Sequence, residues 1–479
     1  MNYKAVSKIL SYVLKLEAVL MLLPCIVAIV YREREGWWYL ATAAICFAVS
    51  YLFGFAGGKK TDGFFAREGF FVVAMSWIFM GLFGAIPFVL TGDIPNFVDA
   101  LFESISGFTT TGGSILRDVE ALSKTSLFWR SFTHWIGGMG VLVLLMAILP
   151  LAGSENIFMM RAESTGPQVG KIVPKIRKTA EILYVSYFAL TVVEIIMLIA
   201  GRVPVFDALT TAFGTAGTGG FAVTNSSIGN YSNYGQIVVA VFMMLFGVNF
   251  NLYYLISVRK IKAALLSEEL RYYVGIMLAT TLVIAVNING IFGGFGTSLR
   301  YSFFQVSSLM TSTGFSTYNY NTWPELSKTL LVLVSIIGAC AGSTGGGIKV
   351  SRFVIMLKCV KREIRSFVNP RTVRQIRMDG SPITREVRSS VKSYMLAYLV
   401  IYVISLIIVS LDGFDFTTNT TAVFATFNNT GPGLNMVGPA GNYADFSILS
   451  KIVFIFDMLA GRLELYPMLI LFVPNTWKD

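Results

Sequence analysis

Four Thr-Gly pairs recur along the chain, each inside a short apolar segment. They are Thr111-Gly112, Thr218-Gly219, Thr313-Gly314 and Thr430-Gly431, and successive glycines lie 107, 95 and 117 residues apart. Glycine reaches backbone angles that other residues avoid, and it leaves no side chain in a narrow space. Four such turns around one axis could present rings of backbone carbonyls to a dehydrated potassium ion. The near-constant period indicates an internal repeat.

These four tips supply the candidate ion-binding residues. A threonine beside each glycine can add a hydroxyl or pack behind the strand, and a half-helix ending at the tip directs the negative end of its dipole toward a cation. The competing interpretation is an ordinary helix C-cap or a packing glycine. Four pairs in phase favour a selectivity filter. Its predicted residues are Thr110, Thr111, Gly112, Thr218, Gly219, Thr313, Gly314, Asn429, Thr430 and Gly431, with K+ expected at the four Thr-Gly pairs.

Each tip lies in a segment that is too apolar for an exposed loop and too short to span a bilayer. These segments cover residues 95–116, 203–224, 298–317 and 415–436. Irregular backbone at membrane depth is tolerated only where it lines water or is buried in protein. We therefore expect re-entrant pore loops, each formed by a half-helix and an extended return.

Longer apolar runs flank the pore loops. Hydrophobic residues make up 54% of the 479-residue chain and charged residues 14%, with a mean hydropathy of +0.66; soluble domains carry about 25% charged residues. Ten unbroken runs are long enough to cross ~30 Å of hydrocarbon as helices, which excludes the alternating strands of a membrane β-barrel. The runs are 9–31, 37–57, 69–91, 126–152, 180–200, 233–257, 271–293, 327–360, 393–411 and 447–473.

The predicted fold is an all-α polytopic membrane protein. Four helix–pore-loop–helix repeats surround a central pore with pseudo-fourfold symmetry, and a helix pair precedes them. The predicted divisions are 1–60 for the helix pair and 61–160, 161–262, 263–365 and 366–479 for the four repeats.

The net charge of +11 follows this topology and does not indicate a nucleic-acid surface. Basic residues collect in segments 59–67, 161–178, 259–262 and 352–392, while the intervening loops hold only scattered ones. The positive-inside rule places these four segments and both termini in the cytoplasm. Contact with anionic membrane lipids or with a cytoplasmic partner is compatible with the same residues.

The chain offers little for metal or covalent chemistry. Its four cysteines fit no metal or disulfide spacing, and His134 is the only histidine. A hydrogen-bonded core histidine is the favoured interpretation of His134, because no titratable partner for a proton relay is evident. We therefore expect no enzyme activity.

Two features do not fit regular spanning helices. Gly342, Ser343, Thr344, Gly345, Gly346 and Gly347 interrupt the run 327–360, although each glycine costs ~1 kcal/mol in a helix relative to alanine. Arg462 lies inside the last run, where a charge is costly unless it faces a cavity or a partner. A kink that only eases packing and a purely structural ion pair are the alternatives.

The whole chain resembles the membrane subunits of the Trk/Ktr/HKT superfamily of potassium transporters, and most of all the TrkH branch. The resemblance includes the run Ala341-Gly-Ser-Thr-Gly-Gly-Gly-Ile-Lys349 and the extra helix pair before the first repeat. The other matching pieces are residues 106–113, 134–140, 218–221, 249–252, 428–433 and 461–464.

This resemblance implies potassium uptake through a gated, channel-like pore. Relatives that admit sodium can carry serine at the first filter position, so glycine at all four implies potassium preference. The resemblance also implies that residues 342–347 form an intramembrane gate and that Arg462 raises the barrier to cations beside it. It implies a homodimer in the bacterial cytoplasmic (inner) membrane and a TrkA-like cytoplasmic ring that binds NAD or adenine nucleotides. No cofactor is expected on this chain besides the transported K+.

A secondary transporter that couples potassium to protons or sodium is the alternative. Such a transporter needs buried carboxylates along its path. Glu103 and Asp457 are the candidates.

Overall fold

The computed structural model describes residues 1–57, 66–140, 176–369 and 375–477, which are mostly helical. Six helices in these ranges are long and apolar enough to cross a membrane. The protein is therefore a helical, multi-pass membrane protein. The six are Tyr3–Tyr31, Gly36–Ala56, Arg67–Thr91, Ala180–Ala200, Glu268–Asn287 and Arg385–Asp412. The predicted continuation of the fourth span over 141–152 lies outside the described residues, as do 58–65, 141–175 and 370–374 of the basic segments.

The N-terminal pair packs side by side, and further helices follow in groups. Helices α1 (Tyr3–Leu20) and α2 (Leu22–Tyr31) follow one another, and α3 (Gly36–Ala56) packs against both. The first group is α4 (Ala66–Thr91), α5 (Phe97–Phe108) and α6 (Lys124–Gly138). The second is α7 (Ile176–Ala200), α8 (Val205–Gly217), α9 (Asn233–Phe246) and α10 (Phe250–Ser257).

Two more groups complete the chain. After α11 (Ile261–Leu265), the third group is α12 (Glu268–Asn287), α13 (Asn289–Phe292), α14 (Phe295–Met310), α15 (Glu325–Ile337) and α16 (Val350–Val368). A hairpin of β1 (Arg377–Met378) and β2 (Ser381–Pro382) leads to the fourth group. That group is α17 (Arg385–Val409), α18 (Phe416–Phe427), α19 (Ile448–Arg462) and α20 (Tyr466–Leu469).

The short helices α5, α8, α14 and α18 occupy corresponding places in a cycle of contacts. Each packs against the next long helix of its own group, which is α6, α9, α15 or α19 respectively. Each also packs against the corresponding helix of the preceding group, so α8 contacts α6, α14 contacts α9 and α18 contacts α15. Because α5 contacts α19, the last group closes onto the first.

Besides the run 327–360, two of the predicted spans are interrupted. Within 233–257, α9 and α10 meet at 89°. The bend is stabilised because the Asn249 side chain accepts from the amide of Asn251 at the start of α10, and the Cys340 amide donates to the Gly247 carbonyl. Within 447–473, α19 stops at Arg462, and Glu464 and Leu465 turn away with positive φ. The prediction of unbroken helices there is wrong. With 15 residues, α19 is about 22 Å long, less than the hydrocarbon core.

A small apolar cluster joins the hairpin to two helices at what we name the basic face, formed by α16, the hairpin and the start of α17. Ile355 of α16, Met378 of β1 and Val391 of α17 are buried together with Ile376 and Ile383. The short hairpin is therefore part of a packed unit.

Candidate functional site

The four short helices end in the same backbone turn. The residue that turns left-handed is Thr110, Thr218, Ser312 or Asn429, with φ between 53° and 59°. The next amide then donates to the carbonyl five residues back, as Thr111 N does to Ser106 O at 2.9 Å. Equivalent bonds start from Gly219, Thr313 and Thr430. This pattern is the Schellman C-cap, so the turns contain the helix caps of the competing interpretation.

A glycine with positive φ follows two residues after each left-handed residue. These glycines are Gly112, Gly220, Gly314 and Gly431, with φ between 74° and 86°. The predicted equivalence of Gly219 with the other three is therefore wrong by one residue. Gly219 occupies the place of Thr111, Thr313 and Thr430, because the second tip has two successive glycines and the Thr-Gly match selects the first.

The four glycines each lie against a carbonyl of the neighbouring tip. A Cβ added to Gly112 would lie 1.8 Å from the Gly219 oxygen, and one on Gly220 would lie 1.9 Å from the Thr313 oxygen. The corresponding distances are 2.5 Å from Gly314 to the Thr430 oxygen and 2.6 Å from Gly431 to the Thr111 oxygen. Real Cβ atoms essentially never approach within 3.0 Å. Close approach of the backbones therefore requires glycine at all four places.

These contacts run from the first tip to the second, third and fourth and back to the first. All four glycines also line a single cavity of about 170 Å³, together with residues of the loops 116–119 and 437–443. The structure thus brings all ten predicted tip residues to one place.

Hydrogen bonds from the side chains of Asn429 and Tyr443 stabilise the tips. Asn429 Nδ2 donates to Thr111 Oγ1 and to Met458 O, both at 2.9 Å. The Tyr443 hydroxyl donates to Gly431 O at 2.7 Å. Since Asn429 belongs to the fourth tip and Thr111 to the first, the hydrogen bond between their side chains stabilises the contact that closes the cycle.

His134 joins the first two groups. Its Nδ1 lies 2.7 Å from Gly107 O, and its Nε2 accepts from the amide of Phe221 at 3.2 Å. These bonds fix the tautomer with the proton on Nδ1. The prediction of a hydrogen-bonded core histidine is confirmed.

Glu103, a candidate carboxylate for coupled transport, is fully engaged. It pairs with Arg130 at 2.7 Å and accepts from the Ser114 hydroxyl and the Ile115 amide. Arg130 also donates to Ala222 O in the second group at 3.1 Å. Sequence reasoning missed Arg130, although an arginine within the run 126–152 is the same signal that identified Arg462.

The interruption predicted at residues 342–347 is confirmed and is wider. No helix is assigned between α15 and α16, from residue 338 to 349. The first half of this glycine loop (338–349) is bonded to α9 and α10. Phe250 N of α10 donates to Gly342 O at 3.0 Å. Ser343 Oγ donates to Cys340 O at 2.6 Å, and Thr344 Oγ1 donates to Phe246 O at 3.2 Å.

The glycine loop packs directly against the turns of the third and fourth tips. Gly347 N donates to Asn428 O at 3.0 Å, and Gly346 N donates to the Ser312 hydroxyl. A Cβ on Gly345 would lie 2.8 Å from Thr311 O, and one on Gly346 would lie 2.1 Å from Asn428 O. The glycines at 345 and 346 therefore permit contact that side chains would block.

Arg462 lies against the glycine loop. Its guanidinium donates to Thr344 O at 2.7 Å and to Gly137 O and Gly138 O at 2.6 and 2.7 Å. The side chain is buried, and its positive charge is solvated by backbone carbonyls from two groups. Of the two carboxylates that lie near Arg462 in sequence, Asp457 accepts from Ser405 and Glu464 pairs with Arg352.

Two further cations bind the same loop and were not predicted individually. Lys349 is buried with φ of 82°, and its Nζ donates to Gly345 O. Arg352 donates to Ile348 O at 3.0 Å and pairs with Glu464. Sequence reasoning placed Arg352 in the basic cytoplasmic segment and Lys349 at the end of the glycine motif, because the burial of a lysine after a glycine run depends on how the loop folds.

Comparison with known proteins decides the family. The model of the family described as TrkH, cation transport protein, matches residues 38–292 and 294–478. The chain belongs to the TrkH family of cation transport proteins. The Trk system potassium uptake protein TrkH of Salmonella typhimurium is 34% identical over 486 residues, covering 100% of both chains. The TrkH protein of Vibrio parahaemolyticus is 33% identical, again over 100% of both.

The fold agrees with this family assignment. The crystal structure of the potassium transporter TrkH from Vibrio parahaemolyticus superposes with a TM-score of 0.89 at 31% identity, covering 100% of both chains. As a TrkH-family member, this protein is a transporter and not an enzyme.

Proposed function

We propose that this protein takes up potassium through a pore at the axis of its four tips. The relatives named above are potassium uptake proteins. The observation that carries the proposal is the closed cycle in which Gly112, Gly220, Gly314 and Gly431 each meet a carbonyl of the next tip. Backbone carbonyls in such a ring can replace the hydration shell of the ion. The four groups are then pore-loop repeats, divided near residues 60, 160, 262 and 365.

The glycine loop is the proposed gate. It touches the turns of the third and fourth tips, and its carbonyls bind the cations Arg462 and Lys349. A buried positive charge beside an ion path raises the energy of a cation there. Shortening this loop should raise ungated flux.

The remaining features of the proposal rest on the family. We place the protein in the bacterial inner membrane as a homodimer with one pore per protomer. We further propose regulation by a TrkA-like cytoplasmic ring, with NAD or adenine nucleotide bound to the ring. The exposed basic residues Arg377 and Arg385 support a cytoplasmic position for the basic face.

Coupling to protons or sodium remains the second candidate, and Asp457 is the residue that favours it. Asp457 is buried, and within the described part of the chain only one of its oxygens has a hydrogen-bond partner. Glu103 supports coupling less, because Arg130, Ser114 and Ile115 occupy its oxygens. Measuring whether a proton or sodium gradient drives potassium flux at zero net current distinguishes the two, because only a coupled transporter would show such flux.

Radioactive rubidium uptake into liposomes with purified protein tests the proposal. We expect uptake that potassium blocks more strongly than sodium, and a change on adding the partner ring with nucleotide. Empty liposomes and Gly112→Ser protein are the controls. Absence of rubidium uptake by folded protein, or equal competition by sodium and potassium, would contradict the proposed filter.

A further inference from the structure

Two adjacent carboxylates at the start of α12 reach in different directions. Glu269 is buried and contacts the glycine loop, whereas Glu268 is half-buried and contacts the hairpin at the basic face. Neither residue belongs to the predicted filter or gate.

Glu269 holds both ends of the glycine-rich part of the loop with one oxygen atom. Its Oε1 accepts from the amide of Ala341 at 2.7 Å and from the amide of Ser351 at 3.1 Å. Residues 342–347 lie between these two amides. The carboxylate therefore fixes the width of the loop at its base, since the two amides cannot separate without losing a charge-assisted bond.

Glu268 joins the same helix end to the hairpin. The backbone amide of Glu268 donates to Asp379 Oδ1 at 2.6 Å, and the Asp379 amide donates back to Glu268 Oε2 at 3.4 Å. Lys358 of α16 adds an ion pair to Glu268 at 2.5 Å and donates to Arg377 O at 2.7 Å. Asp379 forms the hairpin turn with φ of 50°.

The hairpin is suited to move as one body. It is packed on α16 and α17 through the cluster of Ile355, Met378 and Val391, and its turn is joined to α12 by the polar contacts of Asp379. A displacement of the hairpin would therefore pull on the first residues of α12, where Glu268 and Glu269 are covalent neighbours.

We propose that the Glu268–Glu269 pair mechanically links the hairpin turn at Asp379 to the glycine loop. Both glutamates are positioning residues, and the link keeps the amides of Ala341 and Ser351 together while the hairpin turn contacts α12. The proposal rests on the proposed gate and extends it by assigning the element through which an event at the basic face reaches the loop.

Asp379→Ala is the decisive variant, because Asp379 is exposed and its replacement should not impair folding. We expect backbone hydrogen exchange in peptides covering residues 339–351 to accelerate at least threefold, and rubidium flux of the isolated chain to rise. Glu386→Ala removes another exposed carboxylate, from the first turn of α17, and it is the matched control that should change neither quantity.

Glu269 supplies a second, chemically graded test. Glu269→Ala should raise basal rubidium flux at least threefold, whereas Glu269→Gln should stay near wild type because an amide oxygen can also accept both bonds. If Glu269→Ala does not fold, Asp379→Ala alone decides.

Faster exchange confined to the hairpin in Asp379→Ala, with exchange in the glycine loop unchanged, would overturn the link. Equal effects of Asp379→Ala and Glu386→Ala would overturn it as well. If wild-type protein carries no rubidium, the proposed function fails, and the exchange measurement still decides whether hairpin and loop are connected.

Discussion

Replacing Gly112 by serine should reduce the preference for potassium over sodium. Gly112 has φ of 77°, and a Cβ there would lie 1.8 Å from the carbonyl oxygen of Gly219. The carbonyl belongs to the next tip, so a side chain at this place pushes two neighbouring tips apart. The distortion falls on the ring itself.

The size of the effect follows from two distances. Contact at 3.0 Å instead of 1.8 Å requires the backbones to separate by roughly 1.2 Å, and a left-handed conformation costs a side-chain-bearing residue about 1–2 kcal/mol. Separated carbonyls bind a bare ion more weakly and discriminate less by size. A loss of 1.4 kcal/mol in differential binding is about tenfold, so we expect the preference to fall several-fold to about tenfold.

The assay is sodium and potassium competition against rubidium uptake, with reversal potentials in mixed salt. Gly92→Ser is the matched control: Gly92 also has positive φ, of 81°, but nothing lies within 4 Å of a Cβ added there. Size-exclusion profiles should show both variants folded. Unchanged selectivity in folded Gly112→Ser, or an equal loss in Gly92→Ser, would refute the reasoning.

Three further substitutions address the surroundings of the ring. Arg462→Ala should raise rubidium flux because it removes a buried positive charge beside the glycine loop, while Arg462→Lys should keep flux low. Equal flux in wild type, Arg462→Ala and Arg462→Lys would count against a barrier role for Arg462. Arg130→Ala should lower the free energy of unfolding by about 3–5 kcal/mol, since it leaves the Glu103 carboxylate buried without its cation. Thermal unfolding measures this loss. The double variant Arg130→Ala with Glu103→Gln should recover part of it. His134→Ala should cost about 1–3 kcal/mol for each backbone group left without a partner, and an unaltered melting temperature would contradict the bonds assigned to its ring.

The sequence allowed the helices and the tips to be predicted because local signals specify both. Apolar runs set the long helices, and a glycine after each short helix marks the turn. The breaks at residue 247 and after Arg462 could not be predicted in the same way. They depend on bonds from distant residues, such as that from Cys340 to Gly247.

The register of the second tip shows the limit of matching a dipeptide. Gly219 and Gly220 are both glycines, and only the backbone conformation distinguishes them. Of the two, only Gly220 has positive φ. Gly219 lies against the imidazole of His134, whose Nδ1 would be 2.3 Å from a Cβ added to Gly219. Composition cannot separate a glycine required by its φ from a glycine required by a neighbouring side chain.

The contacts between the glycine loop and the tips imply that the proposed gate and the proposed filter cannot act independently. Gly347 binds Asn428 O, and Gly346 binds the Ser312 hydroxyl; Ser312 is itself the left-handed residue of the third turn, and Asn428 immediately precedes the fourth. Movement of the loop would remove these partners from buried groups at the base of two tips. An unpaired buried polar group costs about 1–3 kcal/mol, enough to favour rearrangement of the turn. If the glycine loop is the gate, as proposed, its movement would therefore also loosen two of the four tips that form the proposed filter.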